Sequence, residues 1–487
     1  MHLYKEVCMP TARILVVGLF VVIIAILSGI VQDVQDAQAI PAFARKYDFA
    51  CNVCHVPSFP KLNDFGNLFR DHGYQLGTDQ ELPTYEGLTK GYWPVSLRTT
   101  VGYQFQSTGG LTSSATGLGD VTATSSGFGI VGLDILSFGL LHRDISFGVV
   151  VTPELVSGAI VGGGNGETDM EAGFIRLDNL QRFIGLGENN YLMNFKVGKF
   201  ELDLPFSVKR SPTLNSDMLI YSYIAGQPFI GGGAAGIINQ NNFALSDNQF
   251  GAELAGIKQT PGGGYFRYSL NALSNHNIDG TGTTGGGRAM EFYGHVTQSI
   301  GGYGIVSGHR VGLFGMYGKV PTVPNAASDP LTPAPIPGTG EASATFSRMG
   351  VDASTTLGGQ VNVFGAWMFA RDTTPISVAS GAGTPQEAHW NGGFIEADYN
   401  PAQFSKWLLI YRYDWITNTQ QPDGDTTFGN FNNAQMHTAA IRYNFHFSTR
   451  TDVALHLEWN HLTGKHTAAS GGDQVQDTTL IGFDFAF

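Results

Sequence analysis

Cys51 and Cys54 stand three residues apart, and His55 follows the second at once. Two thiols at this spacing can add across the two vinyl groups of one haem, and an imidazole directly behind the second thiol is placed to bind the iron from below. The competing chemistries are a structural disulfide, a thioredoxin-like redox pair and half of a zinc site. A redox pair needs a βαβ context that the sequence lacks, and zinc needs two further ligands in a suitable pattern. The spacing therefore predicts one covalent haem c, attached through Cys51 and Cys54, with His55 as an axial ligand of its iron.

Those residues need a support. From Pro60 to Tyr74, the side chains of Leu62, Phe65, Phe69 and His72 recur at spacings of three, four and three, which places them on one helical face. Pro60 suits the start of that helix and Gly73 its C-terminal cap, so the sequence predicts a short helix with an apolar face against the porphyrin. His72 lies on that face and is the candidate for the second axial ligand; a solvated histidine at a helix end is the alternative. No methionine occurs between Asn52 and Asp169. About fifty residues cannot bury a sufficient core alone, and the haem plus a larger partner must supply the rest.

The wider chain names that partner. Lys5 and Arg13 precede an apolar run from Ile14 to about Leu27, and Ala37-Gln38-Ala39 has the form a signal peptidase cuts. Residues 1–39 are expected to be a signal peptide, which removes Cys8 and leaves Cys51 and Cys54 as the only thiols. No later segment reaches the roughly 18 consecutive apolar residues of a membrane helix. With 65 Gly, 33 Phe, 18 Tyr and only 14% charged residues, the composition suits antiparallel β-structure. The net charge of −13 argues against a nucleic-acid partner, which needs clustered Lys and Arg.

From Trp93 onward, stretches of about ten residues alternate apolar and polar, with Gly, Asn, Asp and Pro between them. About sixteen strands can be placed, starting near Val95, Phe128, Asp144, Met170, Asn190, Asn248, Gly264, Arg288, His309, Thr345, Gly359, Asn391, Lys406, Gln435, Thr451 and Asp477. Short turns follow every second strand and long polar loops the others, the outer-membrane pattern with both chain ends in the periplasm. The apolar set, exemplified by Val361 to Trp367, is expected to face lipid, with Trp407, Tyr411, Tyr413 and Trp415 at the membrane boundary. Arg442, Asn444, His446, His456 and Glu458 are expected to face the lumen. A soluble β-sandwich is the competing fold, against which stands nearly 400 residues of unbroken alternation.

The expected architecture is a mostly β chain: a signal peptide (1–39), a small N-terminal α-helical monohaem c-type cytochrome domain (40–92) placed in the lumen, and a roughly 16-stranded outer-membrane β-barrel (93–487). A lipid-facing band about 25 Å tall insulates the two sides, so a haem left at one rim would serve the other poorly.

The run Pro41-Ala42-Phe43-Ala44-Arg45, then Cys51, Cys54-His55, Phe59-Pro60, Leu62, Phe65-Gly66, Phe69 and Gly73-Tyr74 resembles the N-terminal signature of the fused monohaem cytochrome-porins, which include the outer-membrane iron oxidases of iron-oxidising bacteria. The resemblance implies one-electron oxidation of dissolved Fe(II) at the cell surface, with the electron passed inward to a periplasmic c-type cytochrome or another soluble carrier. Two alternatives stand beside it: a conduit run outward to extracellular acceptors, and a diffusion porin whose cytochrome domain is a plug. Asp329, Glu341, Glu387, Asp423, Asp425 and Asp473 fall on the expected outer loops, where oxygen ligands would suit a ferrous ion and solvation is the plainer role. No nucleophile elbow, phosphate loop or metalloprotease spacing is present, so any catalysis is electron transfer at the haem.

Overall fold

The computed structural model describes residues 41–47, 49, 53–55, 60–76, 83–111, 121–153, 168–186, 191–223, 230, 237–239, 245–261, 264–274, 290–301, 308–321, 343–378, 386–404, 406–420, 433–447, 452–465 and 473–486. The expected signal peptide and Cys51 lie outside them. Three short helices come first: α1 (Pro41–Tyr47), α2 (Asp64–Asp71) and α3 (Thr84–Thr89). The strands are β1 (Val95–Leu111), β2 (Val121–His142), β3 (Ile145–Pro153), β4 (Thr168–Leu177), β5 (Asn194–Phe200), β6 (Ile237–Asn239), β7 (Gln249–Gln259), β8 (Tyr265–Ser274), β9 (Met290–Ile300), β10 (His309–Pro321), β11 (Ser343–Leu357), β12 (Val361–Val378), β13 (Gln386–Tyr399), β14 (Trp407–Gln420), β15 (Ala434–Phe447), β16 (Asp452–Gly464) and β17 (Gln474–Ala486). Two further helical turns, α4 (Leu180–Phe183) and α5 (Leu219–Ser222), lie between strands.

Sixteen of these strands are the staves of one closed antiparallel barrel. Each pairs with its neighbour in sequence, β5 pairs directly with β7, and β17 returns to β1 with Arg98 opposite Ala486 and Gly109 opposite Val475. The remaining strand, β6, only extends the far end of β12, with Ile237 opposite Val378. Closure satisfies every ladder and leaves no edge, the condition a sheet must meet to stand in lipid. No helix among the described residues is long and apolar enough to cross a membrane.

The expected strand starts fall within a few residues of the observed ones, with two instructive exceptions. β2 begins at Val121 rather than near Phe128, because Val121 to Ser126 are exposed throughout and carry no alternation to read. β13 begins at Gln386 rather than near Asn391. There the pattern is inverted: Ala388 and Trp390 point inward while Glu387 and His389 lie outside. Glu387 is accordingly not a loop residue but a strand residue, ion-paired to Arg371 and 2.7 Å from His389 Nε2. Asp473 is exposed just before β17; Asp329, Glu341, Asp423 and Asp425 lie outside the described residues.

β9 shows how the two faces separate. Met290, Phe292, Val296 and Ile300 are exposed, while Glu291, Tyr293, His295, Thr297 and Ser299 are buried within. Val311, Leu313, Met349 and Val351 continue the apolar outside on the next staves, and Tyr411 stands 49% exposed in the expected aromatic set. Inside, Arg442 bonds Asp484 at 2.8 Å and His456 Nε2 lies 2.9 Å from Glu458, as the alternation predicts for lumen residues. Asn444 is buried beside them; the side chain of His446 lies outside the described residues. A closed barrel with an apolar outside and a charged inside is the outer-membrane type of construction.

The lumen is not uniformly polar. Phe314, Met316, Phe346, Met368, Trp390 and Phe394 are buried on the inner wall of β10 to β13. Phe364 and Ala366, on the same face of β12 as Asn362, belong with them. The cause is the connection from β5 to β7, which folds inward. Asp203 O accepts from Tyr293 Oη at 2.7 Å, Pro205 O from Arg310 at 2.6 Å, and the Phe206 ring packs 4.6 Å from Phe364. Farther along, Asn215 receives a hydrogen bond from Gln104 on β1 at 2.6 Å. Leu214 N–H donates to Glu458 on β16 at 2.6 Å, and Leu219 N–H to Asp414 on β14 at 3.1 Å. Contacts with β1, β9, β10, β14 and β16 mean that this inner loop crosses the lumen from wall to wall.

Candidate functional site

The turn that carries Cys54 and His55 is clamped to the start of α2. Asn63 N–H donates to Cys54 O at 2.9 Å, its side-chain amide donates to Val53 O at 2.9 Å, and its Oδ1 caps the helix by accepting from Gly66 N–H at 2.9 Å. Gly66 has to be glycine: a Cβ there would stand inside contact distance of the Cys54 carbonyl. The helix therefore begins at Asp64, not at Pro60. Pro60 belongs to the cysteine turn instead, where its carbonyl accepts from His55 Nδ1 at 3.1 Å. That bond places the proton on Nδ1 and the lone pair on Nε2, the nitrogen a metal would take.

Burial dominates the electrostatics of the pair. The Cys54 thiol is pushed up to about 12 and the His55 imidazole down to about 4, each by loss of water. A neutral imidazole is the form that ligates iron. Around them lies a cluster of rings: Phe43 of α1 stacks on Tyr74 at 5.2 Å and meets the edge of Phe69 at 5.0 Å, while Phe69 stacks on Phe65 at 6.3 Å. Gly73 ends the helix in the left-handed region at φ +72°, with the Asp178 carboxylate where its Cβ would be.

This segment is held by the inner wall on several sides. Ala42 N–H donates to Ser96 Oγ on β1 at 3.0 Å, and Tyr74 packs on Phe138 of β2 at 5.4 Å. Arg176 of β4 donates to Arg70 O at 2.9 Å, and Arg267 of β8 bonds Asp71 at 2.8 Å. Across the barrel, Lys61 meets Glu396 at 2.8 Å and also Asp398, both on β13, with its ammonium 3.8 Å over the Phe364 ring of β12. Staves from opposite sides thus grip one segment, which places it inside the lumen. Ser96, Arg176, Arg267 and Asp398 all lie at one end of the barrel, the end that carries the tight turns from β2 to β3 and from β11 to β12, so the segment occupies that end.

Between the segment, the inner loop and the wall of β1 to β5, β7 and β8 lies a cavity of about 790 Å³. Cys54 and His55 open onto it together with apolar Phe43, Leu62 and Phe69 and with the guanidiniums of Arg98 and Arg210. Asp71, Arg176, Glu201 and Asp203 line it as well, so the space has an apolar side at Phe43, Leu62 and Phe69 and a charged side. A planar cofactor with carboxylate side chains presents both kinds of surface, and the residues beside Cys54 and His55 fit a haem. His72 is not brought to this cavity. It caps α2 and its ring stacks on Tyr191 at 4.0 Å, so the helical-face argument that grouped it with Leu62 and Phe69 fails at the helix end. The inner loop's Arg210 had no legible signal in the sequence.

No family model matches the chain, and no curated protein matches it. Solved structures do resemble it. The outer membrane channel DcaP of Acinetobacter baumannii is 10% identical, with a TM-score of 0.44 over 80% of this chain and 96% of that one. OprB of Pseudomonas putida is 11% identical, with a TM-score of 0.45 over 83% of this chain and 96% of that one. A BenF-like porin from Pseudomonas fluorescens is 13% identical, with a TM-score of 0.37 over 81% and 99%.

Proposed function

We propose that this chain is an outer-membrane barrel carrying one covalent haem c in its lumen, attached through Cys51 and Cys54 and ligated by His55, and that it passes single electrons between an external donor and a periplasmic carrier. The observation that carries the reading is the opening of Cys54 and His55 onto a haem-sized cavity inside the barrel. When bound, the haem supplies reversible one-electron chemistry at iron. The protein's own residues do the rest: Pro60 orients His55, the rings of Phe43, Phe65 and Phe69 exclude water, and the lumen wall fixes the depth of the site.

The resemblance to fused cytochrome-porins belongs with this proposal and gives the donor as dissolved Fe(II), with a periplasmic c-type cytochrome as acceptor. The short-turn end, where the segment sits, is then the periplasmic face, with both chain ends on that side. A second reading, a diffusion channel plugged by the same segment, draws support from the closed barrel and its charged inner wall.

Stopped-flow mixing of the oxidised, detergent-purified full-length protein with Fe(II), alongside conductance of the protein in planar bilayers, separates these. Rapid haem reduction at a positive midpoint potential with little conductance is expected. Steady ion conductance and a haem inert to Fe(II) would leave the channel reading standing. A potential well below zero would turn the conduit outward.

A further inference from the structure

The inner loop presents Arg210 to the cavity that holds His55, from a single 3-10 turn at Val208–Arg210. The turn is built to hold it. Ser207 Oγ accepts from the Arg210 N–H at 3.2 Å and donates to Glu201 at 2.5 Å, and Glu201 in turn bonds the Arg210 guanidinium at 3.1 Å. Arg98 on β1 reaches the same turn, donating to Lys209 O at 3.4 Å while Asp484 holds its other edge at 3.3 Å. Arg70, from α2, lines the cavity from the opposite side. A guanidinium carries five donors in a rigid fork, so one carboxylate on one edge leaves donors directed elsewhere. Arg70 is already paired with Asp71, Arg98 with Asp484 and Arg210 with Glu201, so what this space offers a ligand carboxylate is the donors of Arg210 that Glu201 leaves over.

We infer that Arg210, supported by Arg98, receives the propionate carboxylates of the haem, so that the inner loop completes the haem site and sets its potential. The inference rests on the haem reading above. Two consequences follow from charge alone. Reduction adds one electron to the iron, and a fixed cation beside the macrocycle favours the electron-rich ferrous form and raises the midpoint, while a carboxylate at similar range lowers it. Arg210 and Glu201 therefore act with opposite sign on one measurable quantity, which a merely structural contact would not do.

The test is spectroelectrochemical titration of full-length holoprotein in detergent, with covalent haem content read from the peroxidase activity of the denatured band. Arg210→Gln is expected to lower the midpoint, Arg210→Lys to leave it near the parent, and Glu201→Gln to raise it. Midpoints that stay put in Arg210→Gln and Glu201→Gln, or that move in the same direction, overturn the inference while the haem reading survives. Should Arg210→Gln not accumulate, Glu201→Gln decides alone: a rise supports the assignment and an unmoved value overturns it. A parent protein without covalent haem removes the haem reading itself.

Discussion

Lys61 is the bolt between the N-terminal segment and the barrel. Its side chain is 4% exposed, and its two partners, Glu396 and Asp398, are 0% and 3% exposed. Replacing it with methionine keeps most of the volume but strands two adjacent carboxylates in a dry site. Arg412, 3.3 Å from Glu396, still balances one of them, and Asp398 is left without its cation. Breaking a buried pair from one side costs about 3–5 kcal/mol, and with a tenfold change for every ~1.4 kcal/mol the docked population falls by about two to three and a half powers of ten. Lys61→Met is therefore expected to expose the segment to protease and to raise the conductance of the barrel in planar bilayers. The barrel itself should stay closed, read as an unchanged heat-shift on a denaturing gel. The double variant Lys61→Met with Asp398→Asn removes the stranded charge as well and is expected to return the segment to its seat, since neutral replacement of a buried pair at equal volume costs little. Protease resistance and conductance equal to the parent in Lys61→Met, or no recovery in the double variant, would refute the reasoning.

Three other changes probe separate parts of the site. His72→Ala should leave the haem absorption spectrum and midpoint unaltered, because the ring stacks on Tyr191 away from the cavity; loss of a low-spin spectrum would put His72 on the iron after all. Glu458→Ala deprives Leu214, Asn215 and Ser216 of their shared acceptor and weakens the seating of the inner loop by about 1.5–3 kcal/mol. Faster proteolysis between residues 201 and 223 is the expected readout, and an unchanged cleavage pattern would count against a seated loop. Gly66→Ala forces a methyl group into the Cys54 carbonyl and should sharply lower the yield of covalent haem, so a normal haem-stained band would show that the clamp on the cysteine turn is dispensable.

Much of the barrel was legible because its signal is local. A strand alternates with period two, and in a membrane barrel one face must be apolar whatever its neighbours do, so stretches such as Val453 to Trp459 declare themselves without reference to distant residues. The cysteine turn is equally local: three residues, two cysteines and a histidine, within five positions suggest a chemistry. Where partners lie far apart in sequence, the pattern was silent or misleading. Lys61 and Glu396 are 335 residues apart, and nothing near either marks the other. Phe364 shares the inner face of β12 with Asn362, and that it meets Phe206 of the inner loop there is nothing its neighbours in sequence announce.

A barrel of about sixteen strands, preceded by one cysteine-histidine turn, could be read from the residues alone, because strand alternation and the spacing of Cys51, Cys54 and His55 are both patterns of a few positions. A lumenal seat for the turn was expected from the sequence, but which staves grip it, the inward-folding loop that closes over it and the stacking of His72 on Tyr191 emerge from the fold alone. Those outcomes depend on which buried charge finds which partner across the closed sheet, a matter settled by three-dimensional proximity that no stretch of sequence carries.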